Sequence, residues 1–153
     1  MKITLSVIKA DIGSVGGHIA PSEKLVATVK QQIEEKGREL LIDNYVSFTG
    51  DDVAILMTHT GGVDNAQVHK LAWDAFLAGT AVAKAQGLYG AGQDLLKDAF
   101  SGNVHGMGPA VTEMEFEERP GEPCLFFAAD KTDPGAYNLP LYLASGDAMN
   151  PPG

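Results

Sequence analysis

The chain has 153 residues, 44% of them hydrophobic, which fits one ordinary globular domain (1–153) and excludes a disordered chain. Asp and Glu number 20 against 11 Lys and Arg, and the formal charge of −9 speaks against nucleic acid as a partner, because phosphate backbones need basic footprints. A phosphorylated substrate stays open, since bound metal inverts the local charge. Cys124 is the single cysteine, so no internal disulfide forms, and its apolar run suits a buried, inert thiol in a reducing compartment. The N-terminus enters a strand without a signal-peptide core, and no apolar run reaches membrane-spanning length. The expectation is a cytoplasmic protein with no membrane partner.

Lys2–Ala10 alternates Ile3, Leu5 and Val7 with Thr4 and Ser6, the period of a half-buried strand, and runs out at Asp11. A glycine-bearing loop, Gly13–His18, follows. Pro21 and Ser22 open a helix with the stripe Leu25, Val26, Val29 and Ile33, closed by Gly37. Strands are expected over Asn44–Phe48 and Val53–Met57, joined through Asp51-Asp52. Gly61-Gly62 turns the chain, and Asp64 or Asn65 caps a long helix. Its buried face is Val68, Leu71, Ala72, Ala75, Phe76, Gly79 and Val82, and Gly87 ends it. Glycine-rich chain then brackets a short helix, Gln93–Phe100. Two further strands, Ala110–Glu117 and Pro123–Ala129, come next, the second ending at Asp130-Lys131. Glu113, Glu115 and Glu117 alternate with Met114 and Phe116 and are expected to form a solvated face. Ala144–Gly153 has no helix or strand pattern. The order of elements predicts an α+β fold with helices on a sheet face.

Strand ends that each carry an Asp suggest converging carboxylates. Such a cluster repels itself unless cations neutralise it, and oxygen ligands suit Mg²⁺ or a similar hard ion. Taken singly, each residue also has an ordinary explanation. Asp51-Asp52 fits an exposed turn pair, Asp11 a plain strand end, and Asp130-Lys131 an ion pair. Gln93 can start a helix or lend its amide oxygen to a hard ion. His18, behind Gly16-Gly17, is a surface histidine or a seventh-residue neighbour able to reach the Asp11 site. Gly102-Asn103 offers backbone N–H groups for a phosphate or is simply a turn, and Tyr89 packs or contacts a sugar phosphate. His59, His69 and His105 have no zinc spacing and are assigned to structure or surface. Phosphate-loop, dinucleotide and nucleophile-elbow motifs are all missing.

Together these segments resemble the archaeal-type bifunctional fructose-1,6-bisphosphate aldolase/phosphatase family. The resemblance is carried by Ser6-Val7-Ile8-Lys9-Ala10-Asp11 with Gly17-His18, by Gly50-Asp51-Asp52 and by Met57-Thr58-His59-Thr60. Its most specific block is the unbroken stretch from Gly87-Leu88-Tyr89-Gly90 through Gln93-Asp94 to Gly102-Asn103. Glu113–Pro120, Ala129-Asp130-Lys131-Thr132 and Asn138–Tyr142 continue it.

The resemblance implies Mg²⁺ ligands at Asp11, His18, Asp51, Asp52, Gln93 and Asp130, several ions per site, with Asp11, Asp51 and Asp52 catalytic. It implies substrate contacts at His18, Tyr89, Gly102, Asn103 and Lys131. The implied reaction is hydrolysis of fructose 1,6-bisphosphate to fructose 6-phosphate, in gluconeogenesis. Condensation of dihydroxyacetone phosphate with glyceraldehyde 3-phosphate is the second activity. That activity needs a Schiff-base lysine and a proton-transferring tyrosine, which in the family follow the matched segment. The chain is therefore expected to be an N-terminal portion, active as a phosphatase or reduced to a non-catalytic metal- and phosphosugar-binding fragment. The family fold implied is a four-layer α-β-β-α sandwich, of which this is half, assembled as a homo-oligomer (an octamer). An uncovered sheet face predicts self-association.

Overall fold

The computed structural model describes residues 1–16, 18–95 and 108–121. Its elements are β1 (Lys2–Asp11), α1 (Glu23–Lys36), β2 (Asp43–Thr49), β3 (Asp52–His59), α2 (Ala66–Ala85), a 3-10 turn (Gln93–Leu95) and β4 (Ala110–Glu117). Local chemistry sets the helix ends. Ser22 caps α1 by accepting the Leu25 N–H at 3.2 Å, and the Gly37 N–H returns to the Ile33 carbonyl at 2.8 Å. Of the two candidates for α2, Asn65 is the cap: its Oδ1 accepts from the N–H groups of Gln67 and Val68 at 3.0 and 3.1 Å.

The strands form one sheet in the order β2-β3-β1-β4, with every neighbouring pair antiparallel. Strand β3 is inserted between β2 and β1, so the βαββαβ succession is the split, ferredoxin-like arrangement. One sheet face meets the helices. Ile8, Ala10 and Ile12 from the β1 side and Val53, Ile55 and Met57 from β3 pack in one buried cluster with Leu25, Val29 and Ile33 of α1 and Phe76 of α2. Gly79 permits the closest approach: a Cβ there would lie 2.7 Å from Ile12 Cδ1 and 2.9 Å from Val29 Cγ2. That contact fixes α2 over the stretch of chain leaving Asp11. Among the described residues no helix is long and apolar enough to cross a membrane.

The α+β class and the two long helices follow expectation, and the strand faces do not all do so. Thr4 and Ser6 share the helix side of β1 with Ile8 and are buried, so β1 is covered on both faces along part of its length. Ile3 and Val7 are buried on the other side. Val82 is half-buried rather than buried. Glu113 does not join a solvated face: its side chain is only 7% exposed, because β4 pairs it with Ser6 on the helix side. Met114, its apolar neighbour, is 47% exposed on the face away from the helices. The expected helix Gln93–Phe100 begins as a 3-10 turn over Gln93–Leu95, and its remainder lies outside the described residues. The strand Pro123–Ala129 also lies outside them.

Candidate metal centre at the end of the sheet

The antiparallel register sets Asp11, the last residue of β1, directly opposite Asp52, the first of β3. Because side chains alternate along a strand and Ala10 faces the helices, Asp11 projects from the opposite face. Asp51 sits one residue earlier, in a two-residue hairpin turn with Gly50. Thr49 and Asp52 close that turn, and Gly50 takes φ +60°, which suits the first position of a type II′ turn. Asp51 thus leaves the ladder while Asp52 stays in it, and the two carboxylates approach the site from different directions.

The loop after β1 brings the histidine. His18 adopts φ +59°, and its N–H donates to Ser14 Oγ at 2.9 Å. Its Nδ1 lies 2.8 Å from Asp51 Oδ2 and 3.6 Å from Asp11 Oδ2. Asp11, His18 and Asp51 each present one ligand atom, and the three atoms lie within 4.8 Å of one another. Tyr89 packs edge-on against His18 with ring centroids 4.9 Å apart, and its backbone pairs with that of Ser14. The Gln93 amide oxygen and Asp11 Oδ1 both flank Gly90, at 3.0 and 3.9 Å from where a Cβ on that glycine would stand. Asp11, His18, Asp51, Asp52, Tyr89 and Gln93 are therefore gathered at one end of the sheet. Gly102, Asn103, Asp130 and Lys131 lie outside the described residues, as do His105 and Cys124.

Two participants were not singled out from sequence. Asp94 Oδ2 accepts the Asp11 N–H at 2.8 Å, adding a further carboxylate. Lys9, two residues before Asp11 on the same strand face, pairs its ammonium with Asp52. The signals were there: Lys9 shares the period-two face of Asp11, and Asp94 follows Gln93 in the most specific matching block.

The electrostatics favour cations. Asp11, Asp51 and Asp52 are all buried. Burial, then the Asp51, Asp94 and Asp52 charges, push the Asp11 carboxyl up to about 7, against the opposing pull of His18. Nearly dry carboxylates with one imidazole form a hard, oxygen-rich donor set, and the residues present fit a divalent ion such as Mg²⁺.

A different polar cluster lies at the other end of β1 and β3, on the helix side. The Gly61 N–H donates to His59 Nδ1 at 3.1 Å, so the ring proton sits on Nε2 and is donated to Ser6 Oγ at 2.8 Å. The Ser6 hydroxyl then donates to Glu113 Oε1 at 2.5 Å. His69 Nε2 donates to the same oxygen at 3.0 Å, and the Asp64 N–H to Oε2 at 2.7 Å. Burial raises the Glu113 carboxyl, yet these donors outweigh it and hold it below its ordinary value. Burial keeps fully enclosed His59 below its ordinary value and neutral, with Glu113 opposing. Asp64, His69 and Glu113 also bring ligand atoms within 4.8 Å of one another, but the Glu113 oxygens already serve donors of the chain itself.

The profile of a protein family described as fructose-1,6-bisphosphatase matches residues 2–153. The chain belongs to this family. A Thermus thermophilus protein named fructose-1,6-bisphosphate aldolase/phosphatase is 64% identical over 149 residues, which are 97% of this chain and 41% of that protein. Proteins of the same name from Cenarchaeum symbiosum and Ignicoccus hospitalis are 58% and 56% identical, covering 98% and 99% of this chain and 39% and 40% of theirs. The chain thus spans about two fifths of the length of these curated relatives.

Proposed function

We propose that this chain carries the metal-binding part of a Mg²⁺-dependent site that hydrolyses fructose 1,6-bisphosphate to fructose 6-phosphate and phosphate. The observation that carries this reading is the convergence of Asp11, Asp51 and His18 within ligand distance of one another, with Asp52 across the ladder from Asp11. Family membership supports the substrate class. Asp11, His18, Asp51, Asp52 and Gln93 would hold the ions, together with Asp130. Bound Mg²⁺ supplies charge neutralisation at the phosphoryl and leaving oxygens and lowers the pKa of a bound water. The chain's own residues supply position. His18 fixes Asp51 through Nδ1, Asp94 fixes the backbone of Asp11, and Tyr89 walls the His18 side of the site. Gly102, Asn103 and Lys131 would bind phosphate, Lys131 as a point charge.

The aldol condensation of the two triose phosphates, the Schiff-base lysine and the proton-transferring tyrosine belong in this reading to the complete enzyme. So do the second sheet of the four-layer sandwich, the octamer, the cytoplasmic location and the role in gluconeogenesis. A second reading is metal and phosphosugar binding without turnover by these residues alone, which span 41% of the Thermus relative. One experiment addresses both: phosphate release from fructose 1,6-bisphosphate with and without Mg²⁺, beside Asp51→Asn. Mg²⁺-dependent release lost in the variant supports the phosphatase. Mg²⁺ binding without release supports the second reading, and no Mg²⁺ binding in the wild type overturns both.

A further inference from the structure

The cation already inside the acidic end is Lys9. Strand alternation puts Lys9 and Asp11 on the same face, and the register puts Asp52 directly across from Asp11, so Lys9 and Asp52 are diagonal neighbours. Their side chains are 25% and 10% exposed, and the ammonium is paired with Asp52. The other described lysine ion pairs, Lys2 with Glu115, Lys30 with Glu34 and Lys70 with Asp74, lie elsewhere.

We propose that Lys9 is a displaceable counter-ion: it holds Asp52 until a divalent ion takes that carboxylate, and then contacts a phosphate dianion. The proposal rests on the metal-site reading above. Its first half follows from competition. An ammonium and a metal ion cannot both use the same Asp52 oxygen at full strength, and the doubly charged ion gains more from a nearly dry carboxylate. Before that exchange, one positive charge limits the mutual repulsion of Asp11, Asp51, Asp52 and Asp94, so the strand ends can close together.

The second half follows from charge reversal. With several divalent ions on the four carboxylates the local charge is no longer negative, and an anion becomes a favoured neighbour of Lys9. Lysine suits this exchange better than arginine, because a point charge on a flexible four-carbon stem surrenders one partner and reaches another without breaking a two-pronged contact. The substrate class is therefore a phosphate monoester presented beside the metal.

The proposal differs from a plain structural ion pair in sign. In Lys9→Met, Mg²⁺ measured alone by calorimetry should bind roughly fivefold tighter, since its competitor is gone. Inorganic phosphate measured at saturating Mg²⁺ should bind roughly fivefold weaker. Lys9→Arg, which keeps the charge, should restore Mg²⁺ affinity to near the wild-type value. A structural pair would instead weaken both ligands, and that outcome, or an unchanged Mg²⁺ affinity, overturns the proposal.

A measurement on the unaltered chain avoids any folding defect. Acetylation of Lys9, followed by mass spectrometry, should speed up on adding Mg²⁺ and slow again on adding phosphate. Labelling indifferent to Mg²⁺ overturns the proposal. Asp51→Asn separates the two layers. Unimpaired Mg²⁺ binding in that variant sinks the metal-site reading itself, whereas its loss there, with no tightening in Lys9→Met, sinks only the role given to Lys9.

Discussion

The two ends of the β1–β3 pair handle buried charge in opposite ways. At one end the Ser6 hydroxyl, itself held by His59, joins the His69 ring and the Asp64 N–H in satisfying Glu113, and the carboxyl is held below its ordinary value. At the other, Asp11, Asp51, Asp52 and Asp94 crowd together with Lys9 as a partner, and Asp11 is pushed up to about 7. The first arrangement is complete within the protein. The second is over-supplied with negative charge, and on the proposed function cations from outside would balance it. What sets the two clusters apart is therefore the balance of donors and acceptors, since both contain His and carboxylates.

The strongest way to break this contrast is metal titration. On the proposed function Mg²⁺ should raise the wild-type melting temperature, and Asp51→Asn should lose that rise together with roughly 100-fold in Mg²⁺ affinity. Glu113→Gln should leave the Mg²⁺ response intact; a response lost equally in both would erase the distinction between the two ends. The next largest effect is on stability. Glu113→Ala removes the acceptor for the Ser6 hydroxyl, the His69 ring and the Asp64 N–H, and should cost about 2–3 kcal/mol in urea unfolding. A cost below about 0.5 kcal/mol, the range of ordinary surface substitutions, would show that the network is decorative.

The pH responses sharpen the comparison. Asp11 holds an extra proton in the fold between its ordinary 3.8 and its folded value of about 7. Without Mg²⁺, its contribution makes stability fall as pH rises through that window and level off above it. Asp11→Asn should flatten that limb, read as the difference between wild-type and variant unfolding curves in chelator. Glu113 behaves in the reverse sense. Its contribution is full above its ordinary 4.5 and is lost as pH falls through its lower folded value, so Glu113→Gln should narrow the acid loss. The smallest effect expected is at Thr80, whose hydroxyl is buried without a hydrogen-bond partner among the described residues. Thr80→Val should be neutral or stabilise by up to about 1 kcal/mol, measured by thermal unfolding.

Much of the scaffold was legible because its signals are local. Ser22 and Asn65 caps, the Leu25-Val29-Ile33 stripe and the strand runs all act within a few residues of themselves. The faces of β1 and β4 were less legible. Period-two alternation tells which residues share a face but not which face the helices cover, so Glu113 looked solvated and Thr4 looked exposed. The Asp ladder was visible as a pattern of strand ends. Its partners were not, since Asp94 meets Asp11 across 83 positions of sequence and Lys9 resembles any strand lysine until the β1–β3 register is known.

The hairpin between β2 and β3 has a consequence for descent. Gly50 and Asp51 make up its whole loop, and the sheet needs only that Thr49 and Asp52 remain paired. Hairpins accept longer loops at little cost to the strands they join. A lineage that lengthened this one by a residue or two would keep its hydrophobic core and cap residues while Asp51 swung away from His18. On the proposed function the fold would thus survive in the strands, whereas the contribution of Asp51 to the ion site would depend on a single short bend, and relatives with a longer bend should bind Mg²⁺ less tightly.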